Sequence, residues 1–178
     1  MGGVNAETLI RLLDEHTAGL VLHARQWCDA PEDIVHEAFL LLMKERAAPD
    51  NPVGWLYRVV RNKALNAARS SRRRARHETA AAFAGEPWLV PDEGDRLDAA
   101  DAARALEELP EEQREVIIAR LWGGLSFEEI GKMNGTVAST AHRRYQQGIA
   151  VLREKLEGIC PTMINNNVKV NIRDSATT

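Results

Sequence analysis

The sequence predicts an all-α protein: two small helical domains joined by an acidic flexible linker, the second ending in a helix-turn-helix. Three observations predict it. Charged residues make up 28% of the 178 positions and aromatics only 5%, with Ala, Leu, Glu and Arg abundant, a balance that favours helices over sheets. Apolar residues recur at helical spacing up to about residue 76, and again from Ala102 to about Leu156. Between these stretches the pattern dissolves among Gly85, Pro87, Pro91 and Gly94, where Glu86, Asp92, Glu93, Asp95 and Asp98 meet a single Arg96. The expected boundaries are 1–78 for the first domain, 79–101 for the linker and 102–157 for the second domain. Residues 158–178 form a tail with three consecutive Asn and no helical pattern, expected to be disordered.

In the first domain, a helix from Ala6 to about Trp27 places Leu9, Leu12, Leu13, Leu20, Val21 and Ala24 at helical spacing. A second helix opens at Pro31-Glu32-Asp33, where Pro suits the first turn and the two acids suit the positive end of the helix dipole. Its apolar positions are Ile34, Ala38, Leu41 and Leu42, and the turn PDNP at 49–52 stops it. A third helix runs from about Val53 towards Arg76, with Leu56, Val59, Val60, Ala64, Leu65 and Ala68 inside.

In the second domain, Leu109-Pro110-Glu111-Glu112 starts a helix with a buried stripe of Val116, Ile117 and Leu121, ended by Gly123-Gly124. The next start carries two signals: Ser126 with Glu129 makes a capping box, and Leu125 with Ile130 a hydrophobic staple. That helix is short, because Asn134-Gly135 tolerates a left-handed backbone and turns the chain. Thr136 could cap the last helix, but Ser139 fits better. Ala141, Tyr145, Gly148, Leu152 and Leu156 then form one face. On that register His142, Arg143, Arg144, Gln146 and Gln147 point away from the core, near the end at which a recognition helix reads base edges. Arg and Gln suit bidentate contacts with guanine and adenine. A helical hairpin with a solvated polar face is the ordinary alternative, and a helix-turn-helix pattern alone is weak support. Capped helix, Gly turn and polar second helix agree, which favours DNA.

The net charge of −3 carries no global nucleic-acid signature, so such a function must show as local asymmetry. From Trp55 to His77 the chain has Arg58, Arg61, Lys63, Arg69, Arg72, Arg73, Arg74 and Arg76 and no acid. Eight uncompensated cations are more than solubility requires, and phosphates are the counter-surface they suit. Trp55 and Tyr57 could stack on bases, though Trp55 falls in line with Val59 and reads mostly as core. Asp33, His36 and Glu37 share one face of the second helix, which suggests a protein partner or a solvated surface.

Other classes find less support. AFLLLM at 38–43 is too short to span a bilayer, and MGGVNAETLIRLLDEH does not read as a signal peptide. Cys28 and Cys160 make no disulfide framework, which fits a reducing cytoplasm. His23, Cys28 and His36 match no common metal spacing, and no phosphate loop or nucleophile motif is present. Neither an enzyme nor a cofactor is therefore expected. An autonomous helix-turn-helix regulator with an N-terminal sensing domain is the rival reading, although a sensing domain needs a pocket rather than an arginine cluster.

Taken together, PEDIVHEAFLLL, GWLYRVVRNKALNAARSSRRRARHE, LEELPEEQREVIIARLWGGLSFEEIGKMNG and STAHRRYQQGIAVLREKL resemble the bacterial sigma factors of extracytoplasmic-function type, over about Leu9 to Leu156. The resemblance implies a factor that directs RNA polymerase core to promoters and initiates transcription. Asp33, His36 and Glu37 would dock on the clamp helices of the polymerase large subunit. Arg58, Arg61, Asn62, Asn66 and Arg69, with Arg72, Arg73 and Arg74 beyond them, would engage the downstream element where the duplex opens. The helix of Ser139, Thr140, His142, Arg143, Arg144, Gln146 and Gln147 would read the upstream element. An anti-sigma factor is a further partner that the resemblance admits. His36 stands where the family usually has Gln, Asn66 where an acid is common, and Asn134 at a usually apolar turn position.

Overall fold

A computed structural model describes residues 3–75 and 104–159. The expected linker and the tail from residue 160 onward lie outside the described residues. The first half contains α1 (Ala6–Ala24), α2 (Pro31–Lys44) and α3 (Pro52–Ala75). The second contains α4 (Glu111–Leu121), α5 (Phe127–Asn134) and α6 (Ala138–Ile159), preceded by helical residues 104–107. Among the described residues no helix is long and apolar enough to cross a membrane.

Local chemistry sets the helix starts. Asn5 caps α1 by accepting from the Thr8 amide at 2.7 Å, satisfying a donor that has no partner within the helix. Pro31, Glu32 and Asp33 open α2 as expected, and Asn51 accepts from the Gly54 amide at the start of α3. The capping box between Ser126 and Glu129 is fully formed. Leu125 and Ile130, the expected staple, are both buried. α5 ends at Gly135, whose φ of +67° is the left-handed conformation the Asn-Gly signal implied.

The last helix begins earlier than expected. α6 starts at Ala138, with the Val137 carbonyl accepting from Thr140 and Ala141, so Ser139 lies inside the first turn rather than capping it.

Three apolar positions also differ. Leu13, Leu41 and Leu121 were expected inside, and all are exposed, Leu121 by 51%. On α2 the buried set is Val35, Ala38, Phe39 and Leu42, a spacing of three, four and seven that puts the larger Phe39 on the core side. Tyr57, a candidate for base stacking, is fully buried, while Trp55 packs against the core as expected.

The two halves are joined by more than their covalent connection. Leu20, Leu56, Tyr57 and Val60 share one apolar cluster with Val116, Ile118, Ala119, Ile130 and Ala141. α4 lies at the junction. Its residues Glu115 to Ala119 are all buried, because one side meets the first half and Ile117 meets Leu106, Leu109 and α6.

The α5–α6 turn is close-packed around Gly131. A Cβ there would lie 2.9 Å from the Thr136 carbonyl oxygen and 3.1 Å from the Ala138 nitrogen, and backbone cannot swing aside. We therefore expect Gly131→Ala to destabilise the protein by about 1–3 kcal/mol, although Ala is the better helix former. Denaturant midpoints measure this, and a stabilised variant would show that the turn is not so tight.

Candidate nucleic-acid interface

On α2 the side chains of Asp33, His36 and Glu37 are exposed. Glu37 is not free-standing: Lys63 of α3 donates to it at 2.8 Å, and that hydrogen bond and charge hold its carboxyl below the usual range. Beside this face, an open groove of about 240 Å³ runs between α1 and α2, walled by Leu9, Leu13, Val35, His36, Phe39 and Met43. Its exposed apolar rim was not foreseen, though AFLLLM contained the signal. Six consecutive apolar residues go more than once around a helix, so one core face cannot bury them all.

α3 buries Leu56, Tyr57, Val60 and Ala64, which leaves its opposite side to charge. Arg58, Asn62, Asn66, Arg69 and Arg73 follow at steps of four, four, three and four, so they form one stripe, and all five are exposed. Arg72 is exposed beside them, Arg69 donates to Asn66 at 3.4 Å, and the Arg74 side chain lies outside the described set. Arg61 differs. Its Nε donates to Glu115 Oε1 of α4 at 2.5 Å, with side chains 22% and 5% exposed.

On α6, Ser139, His142, Arg143, Gln146 and Gln147 are exposed and Thr140 is half-buried. His142 packs edge-on against Phe127 at 4.9 Å, and Gln146 Nε2 lies 3.0 Å from its Nε2. Arg144 turns back to Glu112 on α4 at 2.6 Å, its side chain only 20% exposed. The unpaired outward set is thus Ser139, Arg143 and Gln147, with Gln146 and His142 held against each other.

Between the halves lies a buried polar cluster that sequence reasoning missed, because its members come from three helices. His23 is fully buried, 5.0 Å from the Tyr57 ring and 5.2 Å from Trp27, and Arg61 lies 6.0 Å over Trp27. Burial, with Arg61 nearby, lowers the His23 pKa from 6.5 to about 3. Burial also raises the Glu115 carboxyl, against the opposing pull of Arg61, and raises the Tyr57 hydroxyl. Arg114 reaches across to Gln26 at 3.2 Å, and Asn51 donates to Glu129. His23, Cys28 and His36 do not converge: the Cys28 thiol donates to the Ala24 carbonyl, while His36 is exposed on α2.

Both halves of the chain resemble known proteins. A family model for sigma-70 region 2 matches residues 12–74, and one for sigma-70 region 4 matches residues 100–152. The RNA polymerase sigma factor CarQ of Myxococcus xanthus is 31% identical over 132 residues, covering 70% of this chain and 74% of that protein. The ECF RNA polymerase sigma factor SigE of Mycolicibacterium smegmatis is 30% identical over 142 residues, and the chain spans about half of it (51%). Among solved structures, the sigma factor RpoE in complex with the anti-sigma factor NepR from Bartonella quintana aligns with a TM-score of 0.65. It is 23% identical, over 86% of this chain and 98% of that one. CnrH in complex with the cytosolic domain of CnrY aligns at 0.58 with 22% identity, over 88% and 92%; both likenesses show the fold. The class is that of DNA-binding transcription initiation factors. Within it, the chain belongs to the extracytoplasmic-function sigma factors of the sigma-70 family, which direct RNA polymerase core to promoters.

His23 gives the seam a pH signature. Its folded value lies below its ordinary 6.5, so the stability it contributes is complete above that pH and is lost as pH falls towards 3. The expected loss approaches about 1.4 kcal/mol per pH unit within that window. Glu37, Glu108 and Glu129, whose carboxyls are also lowered, add their own loss in more acidic solution, so urea unfolding is best compared above about pH 5. Glu115, whose carboxyl is raised, works in the opposite sense above its ordinary 4.5, so the wild-type slope is the difference of the two. His23→Gln should therefore make stability fall less, or rise, as pH drops there. An identical slope in the variant would contradict this assignment.

Proposed function

We propose that this sigma factor reads two promoter elements with two separate helical surfaces and holds polymerase with a third. The exposed stripe on α3 carries the reading furthest, because it sets Arg58, Arg69 and Arg73 beside Asn62 and Asn66 on one side of a single helix. Arginines there neutralise phosphates, and the asparagines supply the donors and acceptors that a base edge needs. Arg61, Arg72 and Arg74 extend the basic surface. The upstream element falls to α6, with Arg143, Gln146 and Gln147 reading bases and Ser139, Thr140 and His142 positioning the helix. Arg144, drawn towards Glu112, acts at the margin of that surface.

Asp33, His36 and Glu37 serve core polymerase, since an acidic exposed face repels DNA and suits a basic or polar protein surface. The units are residues 1–78 and 102–157, with 79–101 as an acidic tether that phosphates repel. Both partners, core polymerase and promoter DNA, imply a cytoplasmic site of action. An anti-sigma factor is a further partner, by analogy with RpoE, which was solved with one.

The contrast between the two basic surfaces tests this reading. With purified polymerase holoenzyme, Arg143→Ala should cost roughly 1–3 kcal/mol of discrimination at one upstream base pair. Arg72→Ala or Arg73→Ala should instead weaken binding to every sequence alike and flatten its salt dependence. If Arg143→Ala behaved as those variants do, α6 would not be reading bases.

A further inference from the structure

One side chain proposed to read bases on α6 is already braced before any DNA arrives. Gln146 Nε2 lies 3.0 Å from His142 Nε2, one helical turn back on the same exposed face. The imidazole is fixed in its turn by the start of α5. Its ring stands edge-on to Phe127 at 4.9 Å, and Tyr145 packs on Phe127 at 5.4 Å. The Arg120 guanidinium sits 5.0 Å over the same ring and donates to the Leu125 carbonyl at 2.9 Å. A continuous set of contacts thus runs from α4 through α5 to the outer face of α6.

An exposed pair at this spacing adds little to helix stability, so its consequence is geometric. With the amide nitrogen facing the ring, one of its two hydrogens goes to Nε2 of the neutral imidazole. The other hydrogen and the carbonyl oxygen stay free, a donor beside an acceptor. In the major groove adenine alone offers the matching pair on one base, an N7 acceptor beside an N6 donor. Guanine offers two acceptors there, N7 and O6, which would suit the amide only if it turned over.

We propose that His142 is a positioning residue that holds the Gln146 amide to read adenine at one position of the upstream element. This rests on the assignment of α6 to that element. An unbraced glutamine turns its amide over freely and so can meet adenine or guanine. Braced by His142, it meets guanine only by giving up that hydrogen bond or by opposing its carbonyl to O6. Either choice leaves a polar group unpaired in an interface that excludes water, where discrimination is largest. Phe127 matters because it stops the imidazole from swinging aside with the amide.

Three substitutions separate the brace from the packing around it. His142→Phe keeps a ring against Phe127 and removes the acceptor. His142→Gln returns an acceptor at similar reach, and Gln146→Ala removes the reader. Each chain is assembled with purified polymerase core after circular dichroism has matched its helical content to the wild type. The probe is a genomic fragment that wild-type holoenzyme transcribes, with each upstream base pair exchanged in turn. A second probe carries 7-deazaadenine, which lacks the N7 acceptor, at the preferred adenine.

Wild-type holoenzyme should prefer A·T over G·C about tenfold at one upstream position, and 7-deazaadenine there should forfeit most of that. His142→Phe should cut the preference to about twofold at that position alone. His142→Gln should restore it, and Gln146→Ala should abolish it. If His142→Phe keeps the full preference while Gln146→Ala loses it, the brace is overturned and α6 still reads bases. A Gln146-dependent preference for guanine overturns it too, since the amide would then face the other way. So does a His142→Phe loss spread evenly over all positions, which marks a merely structural ring. If no variant changes any upstream preference, or no fragment is transcribed, the assignment of α6 fails and the inference fails with it.

Discussion

Helix α4 is the constraint from which the other features follow. A surface helix buries one stripe, but Glu115 to Ala119 are buried without interruption, so α4 must be covered from two sides. α6 and residues 104–109 cover one side, and α1, with Arg61 reaching over from α3, the other. A carboxylate in the middle of such a segment needs a cation, which Arg61 supplies from α3. The neighbouring side chains then have little choice. Tyr57, His23 and Trp27 are drawn into the seam, Gly19 is required where α1 meets Trp122, and the two helical units share one core.

The surfaces proposed for DNA are what this packing leaves outside. α3 spends one side on the core, so its opposite side collects Arg58, Asn62, Asn66, Arg69 and Arg73 in a single stripe. α6 similarly turns Ala141 and Gly148 inward and presents Ser139, Arg143 and Gln147. The ion pairs sort the remaining cations. Lys63 goes to Glu37, Arg144 to Glu112 and Arg61 to Glu115, so three of the cations marked by the sequence are tied to acids. The proposed reading calls for separate DNA-facing surfaces on one chain, and the charges that stay solvated fall on two different helices.

Local signals in the sequence were legible because they depend on residues only a few positions apart. Pro31, the Ser126–Glu129 box and Gly135 each act within one turn of backbone, and each is found where expected. The basic run of α3 was legible as composition, but its stripe was not. Asn62 and Asn66 entered only through the family resemblance, grouped with Arg61, which the structure turns towards Glu115. Leu13, Leu41 and Leu121 were not legible either, because periodicity offers two adjoining apolar faces and only the neighbouring helices choose between them. Arg61 read as one of eight equal cations, and Glu115 was not singled out at all. Their pairing spans 54 positions and no local pattern encodes it. The fully buried Tyr57 and His23 were hidden likewise, both being residues that suit a surface equally well.

The central claim is that this chain confers promoter-specific initiation on RNA polymerase, and run-off transcription tests it most directly. Purified core would be supplied with genomic fragments, with and without the full chain. Discrete transcripts starting at defined positions, present only when the chain is added, are the predicted result. Sequence-specific duplex binding by the chain alone, with no transcript from core in its presence, would contradict the account and favour an autonomous helix-turn-helix regulator.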